Sequence, residues 1–359
     1  MRVLQLIDSL EAGGAERMAV NYANALARQI DFSGLVASRK EGSLVEQINS
    51  NVNYLFLNRK STFDIKAVLR LRDFMKKNKV ELVHAHSTSF FIAVFLKVIY
   101  PKFKIIWHDH YGNSDFLEKR KSFILQWSSF FFNGIIVVNQ KLKKWAQEKL
   151  DFKNVIYLPN FVSENNDEIG QTILKGEKNK RIVCLANLRK QKNHFLILEV
   201  AIKMKNTHPD WTFHLVGKDF NDLYSMQIKK KIKDNHLEKT VFVYGTVLDI
   251  STVLKQANIG ILSSKSEGLP VALLEYGLHK LAVVVTAVGE IPSLIENGSN
   301  GFLVTDFEVA NFYKCVVTLI ESSHLQTNFG LALHKTITEG YIEASVIEKY
   351  LRWLKKIEL

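Results

Sequence analysis

Short apolar runs alternate with longer amphipathic stretches along almost the whole chain. Val3–Ile7 is a compact apolar run, Gly13-Gly14 follows, and Ala15–Arg28 carries a helical pattern. Strand, glycine loop and helix in that order open a doubly wound α/β domain. The alternation continues with strands expected at Gly34–Ser38, Val52–Leu57, Leu82–Ala85, Lys104–Trp107 and Gly134–Val138. Helices are expected over Lys66–Lys79, with apolar positions at Val68, Leu69, Leu71, Phe74 and Met75, and over Phe90–Ile99. Such a series implies parallel sheets with right-handed crossovers.

The pattern breaks at residues 163–180, SENNDEIGQTILKGEKNK, which is polar and poor in large apolar residues and reads as a linker. A second series then begins. Strands are expected at Ile182–Leu185, Thr212–Val216, Val241–Tyr244, Ile259–Leu262, Ala282–Thr286 and Gly301–Val304. Helices are expected at His194–Lys205, Leu223–Asn235, Val271–Leu278 and Tyr341–Leu359. The expected organisation is an N-terminal Rossmann-like domain over 1–162 and a linker over 163–180. A C-terminal Rossmann-like domain over 181–338 follows, then a last helix, 339–359, that is a candidate to pack back on the first domain.

Composition supports two such cores. The chain has 359 residues, 47% hydrophobic and 23% charged, which suits a globular protein of two domains. The net charge of +12 points to an anionic partner such as a phosphate-bearing substrate, acidic lipid or nucleic acid, or else to a solvated basic surface. Two cysteines, Cys184 and Cys315, form no disulfide framework and suit a reducing compartment. Met1–Asp8 is not a signal peptide, and no apolar run reaches membrane-spanning length. The expectation is a cytoplasmic protein, at most peripheral at the inner membrane face.

The most specific chemistry lies in Ser266-Glu267-Gly268-Leu269-Pro270-Val271-Ala272-Leu273-Leu274-Glu275. Glu267 ends a strand-to-helix loop, Gly268 lets a ligand approach the backbone, and Pro270 suits the first turn of the following helix. Free N–H groups at that helix start bind anions or hydroxyls. Glu275 lies about two turns further on, where a carboxylate can accept both hydroxyls of a ribose. An ordinary helix with an acidic N-terminus would look similar taken alone.

Together with Val288-Gly289-Glu290-Ile291-Pro292, Asn297-Gly298 and Asn300–Val304, this segment resembles the donor-binding region of the retaining glycosyltransferases of family four. Their GT-B fold sets two Rossmann-like domains across a cleft. The resemblance extends to Gly13-Gly14-Ala15-Glu16-Arg17, to Leu158-Pro159-Asn160 and to Ala186–His194. It implies metal-independent transfer, with no cofactor, from a nucleoside-diphosphate sugar, UDP-linked by family habit, to a glycan or polyprenyl-linked saccharide acceptor, as in bacterial surface polysaccharide biosynthesis. Lys192 would neutralise the departing diphosphate. Glu267 and the N–H groups of Gly268 and Leu269 would hold the sugar, and Glu275 the ribose. Gly13, Gly14, Asn160, Asn187, Arg189, Gly217, Pro270 and Leu274 complete the implied substrate contacts. Asn187 stands where many members carry arginine, and Arg189 is the candidate replacement. The loop Gly217-Lys218-Asp219-Phe220 lacks the family's usual second glycine.

His84-Ala85-His86 and His108-Asp109-His110 end two strands, so alternate histidines share a face. They suit either a metal site or a sugar and acceptor site. By the resemblance, a histidine here meets the donor sugar; His110 is the candidate and His108 the alternative. The competing function is a metal-dependent hydrolase built on both pairs. A nicotinamide dehydrogenase would need G-x-G-x-x-G after the first strand, which Gly13-Gly14 does not supply. No nucleic-acid motif appears. Lys119-Arg120-Lys121 precedes an aromatic stretch, Ser122–Phe132, and Lys66–Lys79 is strongly basic. These read either as a surface for an anionic membrane or as buried amphipathic helices with basic flanks.

Overall fold

A computed structural model describes residues 1–163 and 170–357. The chain forms two compact units, Met1–Phe161 together with the segment from Glu343 onward, and Val162–Ile342. Each is built on its own parallel sheet.

In the first unit the strands are β1 (Arg2–Ser9), β2 (Phe32–Lys40), β3 (Asn53–Phe56), β4 (Leu82–His86), β5 (Lys104–Asp109), β6 (Gly134–Val137) and β7 (Val155–Tyr157). They run parallel in the order β3-β2-β1-β4-β5-β6-β7. Between them lie α1 (Gly14–Leu26), α2 (Ile65–Lys77), α3 (Phe90–Ile99), α4 (Phe123–Ser129) and α5 (Gln140–Lys149). The strand order reverses between β1 and β4, and ligands of open α/β sheets sit beyond the strand ends at such a reversal.

The second unit holds β8 (Arg181–Leu185), α6 (His194–Thr207), β9 (Thr212–Val216), α7 (Leu223–Asp234), β10 (Val241–Gly245), α8 (Ile250–Lys255), β11 (Ile259–Leu262), α9 (Val271–Leu278), β12 (Ala282–Thr286), α10 (Ile291–Leu294) and β13 (Phe302–Val304). The parallel order is β10-β9-β8-β11-β12-β13, so its reversal falls between β8 and β11. Two further helices, α11 (Val309–Ile320) and α12 (Ser323–Gly340), close this unit. The last helix, α13 (Glu343–Lys356), belongs to the first unit, where it packs on α1 and sets Trp353 against Gly134 of β6.

Of the stretch read as a linker, residues 164–169 lie outside the described residues. Its later part is tied to the second unit. Thr172 N donates to Asp249 Oδ2, Thr172 Oγ1 to Asp249 Oδ1, and Leu174 N to Gln256 Oε1. Leu174 is buried.

The faces of the first sheet differ in kind. Leu4, Leu6, Val83, Ala85, Ile105 and Trp107 point into an aliphatic and aromatic core. The alternate positions of the central strands bear Gln5, His84, His86 and His108, all fully buried. Register explains the grouping: Gln5 pairs with His84, and His86 with His108. Tyr22 of α1 and Tyr350 of α13 cover this polar face, the Tyr22 ring meeting His84, His108, Phe161 and Tyr350 edge-on.

Candidate active site

In the second unit the reversal brings together the loops after β8 and β11. The first passes through a short 3-10 turn, Lys190–Lys192, and a left-handed Asn193 before α6 starts. Ser263 Oγ donates to the Lys192 and Asn193 carbonyls, Lys265 N donates to the Gln191 carbonyl, and Gln191 Nε2 donates to the Ser266 carbonyl. The two loops are thus laced into one surface. On it, Lys192 Nζ donates to Glu267 Oε1 at 2.5 Å, and Ser264 Oγ donates to the same oxygen at 2.6 Å. Glu267 is only 5% exposed. Lys192 is part-exposed and presents a cation beside a fixed carboxylate.

The backbone around this pair is shaped for close approach. Gly289 has φ +58°, and a Cβ there would lie 2.1 Å from the Glu267 carbonyl oxygen. Glu290 N donates to the Gly268 carbonyl, so the loop after β12 clasps the Glu267–Gly268 turn. Pro270 sits at the N-cap of α9, one position before the first turn, and no side chain caps that helix. The helix is positioned by Tyr276, whose buried hydroxyl accepts from Leu185 N at 2.7 Å. Gly260 of β11 makes room for the Tyr276 ring, since a Cβ there would lie 2.6 Å from it.

The remaining residues expected in this unit fall into place unequally. Glu275 lies part-exposed on α9, on the same helix as the turn that carries Glu267. Leu269 is buried, and Leu274 is fully buried in the core. Leu274 therefore offers a ligand no side-chain surface, and its expected substrate contact is corrected to packing: apolar character at that position keeps α9 on the sheet. Asn187 Oδ1 accepts from Lys218 N at 2.7 Å, so its amide holds the loop after β9. Gly217 packs on the Ala186 carbonyl, where a Cβ would lie 2.3 Å away. Arg189 stacks over Phe220 at 4.8 Å, and Lys218 lies over the same ring at 5.0 Å. Sequence reasoning marked the loop of Lys218 and Phe220 only by its missing glycine and did not single out Ser264, since nothing local marks a serine that fixes a carboxylate.

In the first unit, Gly13 is the N-cap of α1, with no side-chain cap, and a Cβ on Gly14 would meet nothing within 4 Å. Asn160 is buried just before the chain leaves this unit. Beyond β5 the loop is pinned by Asp109, which accepts from Arg120 Nη1 at 2.6 Å and Nη2 at 2.9 Å. The Arg120 guanidinium in turn stacks on Tyr111 at 4.3 Å and Trp145 at 4.2 Å.

His108 and His110 differ in exposure. His108 is fully buried, whereas His110 is the part-exposed member of the group. His84 Nε2 lies 3.1 Å from His108 Nδ1, and Tyr350 Oη 3.2 Å from His84 Nδ1. His86 Nδ1 lies 3.0 Å from His110 Nε2, and His86 Nε2 lies 2.8 Å from Gln5 Oε1. Burial holds all four imidazoles neutral, His110 with its pKa lowered to about 3 and the other three well below the ordinary value. His84, His86 and His108 have nitrogens within 4.8 Å of one another, close enough to suggest a metal centre. The ring planes argue otherwise: His84 stacks on His86 at 4.4 Å with an interplanar angle of 18°. Stacked rings do not turn their in-plane lone pairs to one point, and both nitrogens of His84 and of His86 already face Tyr350, His108, His110 or Gln5. Asp109 is committed to Arg120.

Two parallel-sheet α/β units, the second with its loops laced together at the strand reversal, have the architecture of a GT-B glycosyltransferase. A family model described as glycosyl transferases group 1 matches residues 165–335, and one described as glycosyltransferase family 4 matches residues 12–166. The chain belongs to the family-four glycosyltransferases, whose transfer is retaining. A UDP-Gal:alpha-D-GlcNAc-diphosphoundecaprenol alpha-1,3-galactosyltransferase of Escherichia coli is 25% identical over 87% of this chain and 86% of its own length. A poly(ribitol-phosphate) alpha-N-acetylglucosaminyltransferase of Staphylococcus aureus is 24% identical over 68% of this chain, a match spanning 48% of that relative. Among solved structures, Anabaena HepE in complex with UDP-glucose superposes with a TM-score of 0.81 at 17% identity, over 99% of this chain and 100% of that one.

Proposed function

We propose that this protein transfers a hexosyl group from a UDP-sugar to a lipid-linked saccharide during assembly of a bacterial surface polysaccharide. The observation that carries this reading is the Lys192–Glu267 pair, fixed by Ser264 at the strand reversal of the second unit. The UDP-sugar donor and the undecaprenol-linked acceptor named for the E. coli relative support the substrate classes.

In this reading the bond from the anomeric carbon to the diphosphate breaks while a bond to the acceptor oxygen forms on the same face. The acceptor proton passes to an oxygen of the leaving diphosphate, so no strong protein base is required. Lys192, with Arg189 as second cation, stabilises the charge that develops on the diphosphate, and side-chain cations stand where a metal would otherwise act. Glu267 receives the sugar hydroxyls, Glu275 the ribose, and His110, by the family resemblance, meets a sugar hydroxyl. The test is a screen of nucleotide-sugars for sugar-dependent nucleotide release, with and without chelator, repeated on Glu267→Ala and Lys192→Ala. Full turnover in both variants rejects the site, and loss of turnover on chelation rejects the metal-free reading.

A second part of the reading concerns the membrane. Among the described residues no helix is long and apolar enough to cross one. Helix α4 is inverted, however: Phe123 is 82% exposed and Trp127 56%, while Leu125, Ser128 and Ser129 face inward. Phe130, 86% exposed, extends the outward face, and exposed Lys119 and Lys121 precede it. Bulky aromatics flanked by lysines suit the interface of an anionic bilayer, where a lipid-linked acceptor resides. Co-sedimentation with vesicles containing phosphatidylglycerol, absent with phosphatidylcholine alone and lost in Phe123→Ser/Phe130→Ser, is the expected result. Equal binding by that double variant overturns the membrane assignment without touching the donor site.

A further inference from the structure

The polar face of the first sheet carries an ordered set of protons. Gln5, on β1, presents Oε1 to His86 Nε2 at 2.8 Å. A carbonyl oxygen only accepts, so His86 carries its proton on Nε2. Burial keeps His86 neutral, which leaves Nδ1 as a lone pair. That lone pair faces His110 Nε2 at 3.0 Å, so His110 must donate from Nε2. His110 is neutral as well, with its pKa lowered to about 3 by desolvation, and its Nδ1 is left bare.

The Gln5 oxygen is the side-chain atom within hydrogen-bond distance of His86, and the Gln5 amide nitrogen is buried without a partner among the described residues. Stacking holds the rings in line: His86 on His110 at 5.2 Å with an interplanar angle of 17°, and His84 on His86. The chain of bonds runs from the fully buried Gln5 to the part-exposed His110, where it ends.

We propose that Gln5 and His86 are positioning residues that lock His110 in the Nε2–H tautomer, so that it offers substrate a hydrogen-bond acceptor at Nδ1. The bare nitrogen then selects a hydroxyl, which donates, over a carboxylate or phosphate oxygen, which cannot. The catalytic consequence rests on the reading that His110 meets the sugar. The tautomer itself does not.

The first measurement therefore needs no substrate. In long-range 1H–15N spectra of the 15N-histidine-labelled full chain, the His110 signals, assigned by their loss in His110→Ala, are expected to show protonated Nε2 and unprotonated Nδ1. A protonated Nδ1 overturns the proposal. The second measurement uses His86→Asn, whose amide oxygen replaces the Nδ1 acceptor, against His86→Leu, which has none. With the donor that the wild type turns over, His86→Leu is expected to lose kcat by on the order of 10- to 100-fold with little change in donor KM, and His86→Asn to recover most of it. Equal loss in both variants assigns His86 a packing role and overturns the relay. An Nε2–H signal in an enzyme whose His110→Ala variant keeps full turnover upholds the tautomer and rejects instead the role given to His110.

Discussion

Lys192 Nζ and Glu267 Oε1 lie 2.5 Å apart, although 75 residues separate them in sequence. The reversal of strand order between β8 and β11 makes the loops that carry them neighbours. Replacing Lys192 by methionine leaves Glu267 in place and removes the cation that the proposed mechanism sets against the leaving diphosphate. The expected loss is roughly 100- to 1,000-fold in kcat. Steady-state kinetics with the identified donor measure it, and a loss confined to KM would show that the cation binds without aiding bond cleavage.

Ser264 donates to the same carboxylate oxygen from a buried position. Ser264→Ala removes that bond at an expected stability cost of about 1 kcal/mol. Because Glu267 then loses one of the groups that orient it, activity should fall by more than the stability change accounts for. A denaturant titration run beside the kinetics separates the two effects.

Gly289 occupies a left-handed conformation against the Glu267 carbonyl. Gly289→Ala imposes a backbone cost of about 1–2 kcal/mol, and its Cβ displaces the turn that presents Glu267. The expected outcome is an enzyme that folds with a lowered melting temperature and has little turnover. Retention of full activity would show that the clasp between the loops after β11 and β12 is dispensable.

Arg120 and Asp109 form a two-pronged pair that is almost fully buried. Arg120→Ala strands a carboxylate next to His110, at an expected cost of about 3–5 kcal/mol. Arg120→Ala/Asp109→Asn should recover much of this loss. A double-mutant cycle by urea unfolding measures the coupling.

Acid should destabilise the protein early. The unfolded chain protonates its histidines near the ordinary value of 6.5, whereas folded His110 does so only at about 3, and burial also depresses His84, His86 and His108. The unfolded state therefore binds more protons below 6.5. The contribution of these groups is complete above that value and is lost as pH falls toward about 3. Each such histidine steepens the decline by about 1.4 kcal/mol per pH unit. Urea midpoints between pH 7 and pH 4 measure this, and His84→Asn/His108→Asn should flatten the slope.

Sequence pattern was a reliable guide where burial is uniform. Strands such as Ile259–Leu262 and Ala282–Thr286 are apolar on both faces and stand out as continuous runs. Helix α12 does not, because Phe329, Leu333 and Ile337 are the large apolar side chains on its inward face, set among threonines, histidines and an asparagine. Periodicity in Ser122–Phe132 revealed two helical faces but not which one is inward, since aromatics usually go inside and here Phe123 and Trp127 do not. At the site, Lys192 and Glu267 were each marked by local motif, but their contact depends on strand order. The bonds from Gln5 to His86 and from Tyr350 to His84 join residues 81 and 266 positions apart, a distance at which spacing carries no information.

Helix α13 seals the first unit, yet it is made only after the whole second unit. Until Tyr350 and Trp353 leave the ribosome, His84 and the hollow over Gly134 have no cover from that side, while the whole second unit has already been synthesised. Completion of the N-terminal unit thus waits for synthesis of the second unit, and nascent chains ending before Glu343 should hold a folded second unit beside a first unit that chaperones still recognise.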